Sequence, residues 1–90
     1  MKIEALWSAP IQLIKDKSGK LIYTLNLDIL PTKPCVYIFG REHGKTVAPI
    51  YIGETQSLRG RIKTHLESVP LMRAIEQAPT GTRFLIYCTV

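Results

Sequence analysis

Apolar residues in this chain fall into short runs set apart by polar, glycine- or proline-containing breaks. "APIQLI" and "LIYTLNL" have strand length and β-branched content, and "KDKSGK" between them, with Gly19, reads as a turn, so the two are predicted to form a hairpin. "LPTKP" follows, where Pro31 and Pro34 bracket a stiff connector that is unsuited to a central strand. "CVYIFG" (35–40) and "PIYIG" (49–53) are two further strands, close enough across "REHGKTVA" to pair antiparallel. The period then changes. Leu58, Ile62 and Leu66 recur every four residues, which predicts a helix over roughly 57–68 with Thr55 or Ser57 as its cap. Gly60 sits inside it, where glycine costs about 1 kcal/mol relative to alanine, so a close neighbour is expected there.

Pro70 opens a second short helix, "PLMRAIEQA", and "PTGT" turns the chain into a last strand, "RFLIYCTV". The order β-β-β-β-α-α-β predicts an α+β fold, a small, mainly antiparallel sheet flanked by helices. Residues 1–33 read as an N-terminal β-hairpin extension on the same domain, with Trp7 packing it onto the sheet, and residues 34–90 as the core. Phe84 to Cys88 are all apolar, a run that asks for cover on both faces. The expectation is a core cut short at Val90 or completed by a partner.

Composition narrows the class. Ninety residues make one domain, and 46% apolar with 21% charged residues is ordinary for a globular protein rather than a disordered one. The apolar runs are too short to cross a membrane, and "MKIEALWSAP", with Lys2 and Glu4, is not a signal peptide. Cys35 and Cys88 lie in strand-like runs without zinc-type spacing, which reads as free thiols and a cytoplasmic location. The net charge of +5 points weakly to a polyanion.

Arg61 and His65 are one helical turn apart and flank the buried stripe, while Arg59 and Lys63 point further round toward solvent. The adjacent strands bring Tyr37 and Tyr51. A guanidinium clamps a phosphate and offsets transition-state charge, and phenols and an imidazole orient water or move protons. These groups together suit phosphodiester hydrolysis. "CVY" at 35–37, "YIG" at 51–53, Arg61 eight residues after that glycine and His65 on the next turn resemble the GIY-YIG nuclease family.

The resemblance implies DNA as substrate and one divalent ion, Mg2+, as cofactor. It implies that Tyr37 sits at the scissile phosphate as general base or water-positioning group and that Tyr51 supports it by hydrogen bonding. Gly53 would let the substrate backbone approach, Arg61 would bind phosphate, and His65 would assist proton transfer or phosphate contact. Apart from the resemblance, Arg59 and Lys63, with Arg41 and Lys45, are expected to form a solvated or DNA-backbone-contacting face. Cys35 replaces the first motif glycine, and Glu54 stands where many members carry lysine. The family's metal-binding glutamate lies on a helix after the last strand; nothing here matches it, and Glu76 is too close to Arg61 in sequence to take the role. The alternative is an inactive nucleic-acid-binding or protein-interaction module on the same fold.

Overall fold

The computed structural model describes residues 6–90; the first five residues of the N-terminal extension lie outside the described residues. In chain order the elements are β1 (Ile11–Gln12), β2 (Ile14–Lys15), β3 (Tyr23–Thr24), a 3-10 turn (Leu27–Ile29), β4 (Cys35–His43), β5 (Thr46–Thr55), α1 (Leu58–Leu66), α2 (Val69–Glu76) and β6 (Thr82–Thr89). This is the α+β architecture read from the sequence. The main sheet runs β1-β6-β4-β5, with every pairing antiparallel.

The N-terminal segment differs from a simple hairpin. β2 and β3 do pair around a turn, where the Asp16 carboxylate accepts from the Ser18 and Leu21 amides and Gly19 takes φ +79. The residues before them leave that hairpin and run along β6 instead: Ile11 lies opposite Leu85, and the Ser8 amide donates to the Tyr87 carbonyl. The chain thereby covers one edge of β6, a saving of otherwise unpaired backbone groups. Trp7 is 43% exposed, so Ser8, Ile11 and Leu13 hold this segment down rather than the indole.

β4 and β5 form the long hairpin, closed at a turn where Gly44 takes φ +60. Alternate residues of β4, namely Cys35, Tyr37 and Phe39, enter a single cluster with Leu85 of β6, Leu58, Ile62 and Leu66 of α1, and Met72 and Ile75 of α2. Leu13, Tyr23, Leu25 and Leu30 belong to that same cluster. Helices and extension thus all pack on one face of the sheet.

The start of α1 is capped by distant backbone. Ser57 makes no side-chain cap bond; Thr55 Oγ1 instead bonds the Ser57 backbone. The first helical amides donate to the connector, Leu58 to the Lys33 carbonyl at 3.3 Å and Arg59 to the Pro31 carbonyl at 3.0 Å. α2 has an ordinary N-cap, with Ser68 Oγ accepting from the Leu71 amide and Pro70 in the first turn. The Arg83 guanidinium fastens the end of α2 and the following turn by donating to the carbonyls of Ile75, Glu76, Ala78 and Gly81.

Gly60 does not serve a close approach. It is exposed, and a Cβ there would meet only Ser57 Oγ at 3.7 Å, an ordinary contact. Gly60→Ala is therefore expected to stabilise the fold by about 0.5–1 kcal/mol. Urea unfolding of the two proteins tests this, and a loss of stability would show that something crowds the position.

Candidate active site

The two tyrosines are set by strand register. Tyr37 lies opposite Gly53 and Phe39 opposite Tyr51, so Tyr37 and Tyr51 share the face that α1 covers. A β-bulge follows the Phe39–Tyr51 pair, where Ile50 is the extra residue before Pro49 meets Gly40. His65 reaches the tyrosines from the flank of α1. Its ring lies 5.6 Å from the Tyr37 ring and 5.3 Å, edge-on, from that of Tyr51. Phe39 closes the cluster from beneath, 6.0 Å from both the Tyr37 and His65 rings.

The tightest contact is Tyr37 Oη to His65 Nε2, 2.6 Å. Burial is the main reason the Tyr37 phenol is pushed up to about 12; the nearby Tyr51 phenol adds to the shift and the Arg61 guanidinium opposes it. Burial also lowers the His65 imidazole below its ordinary value, with Arg61 contributing. At neutral pH the phenol therefore keeps its proton, and with His65 in its Nδ1–H tautomer it donates to Nε2. That assignment satisfies the buried hydroxyl and leaves the His65 proton on Nδ1.

Tyr37 is 1% exposed and Tyr51 37%. The sheet and α1 bury the Tyr37 phenol and leave Tyr51 at the surface. Gly53 is closely packed by the Tyr37 ring. A Cβ there would come within 2.5 Å of the Tyr37 hydroxyl, so the glycine makes room for the Tyr37 phenol.

The cations of α1 divide between its two flanks. Arg59 Nε donates to the Leu30 carbonyl at 3.0 Å and its Nη2 to the Asp28 carbonyl at 3.2 Å. It binds the connector to the helix instead of standing free for DNA. Lys63 is exposed one turn further along that flank, on the far side of the helix from Arg61, because residues two apart do not face each other. Of the five arginines, Arg41, Arg59, Arg73 and Arg83 donate to protein acceptors. The Arg61 guanidinium has no hydrogen-bond or ion-pair partner among the described residues, and it lines an open cleft of about 300 Å³ with Pro34, Cys35, Glu54, Thr55 and Gln56. It is the guanidinium left for a ligand.

The described residues do not build a Mg2+ site. Such an ion takes oxygen ligands in near-octahedral order, commonly one or two carboxylates with substrate phosphates. Among the described residues no three His, Cys, Asp or Glu side chains converge. Glu54 lines the Arg61 cleft, but its position opposite Val36 puts it on the other sheet face from Tyr37 and Tyr51. Glu76 is held by Lys15 and Arg73. No step is assigned to a metal here.

Adding a methyl group at Gly53 is expected to expel the Tyr37 ring. Gly53→Ala should lower stability by about 1–3 kcal/mol, the range for overpacking, and break the Tyr37–His65 bond. Thermal unfolding reads the first, and the His65 ring resonances read the second; an unchanged imidazole would mean that Tyr37 does not depend on Gly53. Acid should weaken the fold through His65. Its folded-state affinity for a proton is depressed, so the unfolded chain binds more protons, and stability falls as pH drops below about 6.5. Arg61→Ala should move the His65 titration upward, which ring NMR across that range would show.

Comparison with curated proteins and with solved structures gives no match. The family model for the GIY-YIG catalytic domain matches residues 33–79, just over half of the chain. That span contains both tyrosines, Gly53, Arg61 and His65, and ends before β6. Together the match and the antiparallel sheet with its two helices identify the chain as a member of the GIY-YIG family.

Proposed function

We propose that this domain hydrolyses DNA phosphodiester bonds, as an endonuclease of its family. The observation that carries the reading is the uncommitted Arg61 guanidinium, one helical turn from His65; the open cleft that Arg61 also lines includes none of Tyr37, Tyr51 and His65. In this reading Arg61 grips the scissile phosphate through paired hydrogen bonds and offsets the charge that builds on its oxygens. His65 presents its Nδ1 proton to the same phosphate, and Tyr37, bonded to Nε2, fixes that tautomer. Tyr37 is then a positioning residue. Tyr51, at the surface 5.3 Å from the His65 ring centroid, orients the attacking water.

The roles differ from those implied by the sequence resemblance in one respect. A phenol pushed up to about 12 is a poor base at neutral pH, so Tyr37 supports the imidazole rather than deprotonating water itself. Mg2+ stays part of the proposal through the family, whose members generally use a divalent ion. The free thiols Cys35 and Cys88 are compatible with the cytoplasmic location proposed from the sequence.

Nicking of supercoiled plasmid in Mg2+, with a chelator control, tests the proposal. Arg61→Ala is expected to lower the nicking rate by about 10²–10³, the cost of removing one transition-state donor, with the fold intact. Lys63→Ala should change it by no more than a few-fold, about the effect of one screened phosphate contact. Absence of cleavage with salt-sensitive DNA binding retained would favour the binding-module alternative. Unfolding of Arg61→Ala would show Arg61 to be structural.

A further inference from the structure

Both helices and the N-terminal extension pack on one face of the sheet. An antiparallel sheet with its second face in water carries polar residues on that face. Here the outward positions are Val36 and Ile38 of β4, Ile52 of β5, and Phe84, Ile86 and Cys88 of β6. Register makes them neighbours: Val36 lies opposite Cys88, Ile38 opposite both Ile52 and Ile86, and Gly40 opposite Phe84. None belongs to the main core cluster or is among the residues packed against it; Phe84 is buried at 5% exposure, Val36, Ile38, Ile86 and Cys88 are half-buried, and Ile52 is 60% exposed. Gly40 adds to the flatness of this face, since a Cβ there would come within 2.8 Å of the Phe84 ring. An apolar surface that continues across three adjacent strands is the mark of an interaction site.

Charge narrows what covers it. The chain carries +5 overall, yet among the described residues the charged side chains that the main sheet directs to this face are Glu42 and Glu54. Arg41 and Arg83 lie opposite each other on the helix-covered face, where each donates to backbone carbonyls. Nucleic acid is a poor occupant for a surface that is apolar and edged with carboxylates. A second copy would bring Glu42 and Glu54 against a surface of the same sign. Strands about 4.8 Å apart and a helix about 10 Å wide mean that one helix spans the central pair, β4 and β6.

We propose that this face docks an amphipathic helix of a partner protein, with an apolar stripe on the sheet and Lys or Arg on its flanks. The inference does not rest on phosphodiester cleavage: the helix would cover the face opposite Tyr37, Tyr51 and His65 and would meet the Arg61 cleft only at Glu54.

Two synthetic helical peptides of about 16 residues, one built of Leu and Lys and one of Leu and Glu, are the probes. Fluorescence anisotropy gives their affinities for the intact chain, and amide NMR shifts locate them. The Leu/Lys peptide should bind at least about tenfold more tightly, against the net charge of the chain, with shifts on the outward residues of β4 and β6. Ile52→Lys, at an exposed position that spares the core, should weaken that binding about tenfold. Preference for the Leu/Glu peptide, shifts confined to α1 and α2, or no saturable binding of either peptide would overturn the proposal. So would a dimer in sedimentation that Ile52→Lys dissolves.

Discussion

The hydrogen bond from the Tyr37 hydroxyl to His65 Nε2 couples the sheet to helix α1, and the candidate site depends on it. Tyr37 is fixed by pairing on both sides, opposite Gly53 and Tyr87, so its phenol has little freedom. His65 in turn is one helical turn from Arg61. A constraint at the centre of the sheet thus sets where a surface guanidinium stands. Because the phenol is buried, it holds its proton, and the bond to Nε2 ties the imidazole tautomer to the direction of that one contact.

The same helix is oriented from its other flank. Arg59 grips the carbonyls of Leu30 and Asp28, and the connector carbonyls of Pro31 and Lys33 take the first helical amides. The N-terminal extension therefore does more than pad the core: it caps the helix that carries Arg61. Arginines that look equivalent in sequence separate into four whose side chains donate to protein acceptors and one, Arg61, whose guanidinium has no such partner among the described residues. This separation, rather than the overall excess of positive charge, singles out Arg61.

Much of the fold was legible because its signals are local. The four-residue spacing of Leu58, Ile62 and Leu66 marked α1, Pro70 marked the start of α2, and the β-branched runs marked β4, β5 and β6. The division of the N-terminal segment was not legible, since pairing of residues 8–12 with β6 is a contact across more than seventy residues and leaves no local trace. At the site, the residue set was readable from spacing, but the depth of each side chain was not. Tyr37 and Tyr51 look alike in sequence, and register and cover by α1 bury one and expose the other. The substrate role of Gly53 comes from the family resemblance and that of Arg59 from its place on a basic helix face; neither signal carries the phenol that packs on Gly53 or the two carbonyls that Arg59 binds. The apolar run of β6 did announce a second face: among the described residues, Phe84 is buried there and Ile86 and Cys88 stay half-buried.

The central claim is that phosphate is received on the flank of α1 that carries Arg61 and His65. Titration of the 15N-labelled chain with a short DNA duplex, without metal, tests it most directly. The account predicts that the Arg61 Nε and the His65 ring respond first, and that Tyr51 follows. Responses confined to Lys63 and the Arg59 flank, with Arg61 and His65 unmoved, would contradict it.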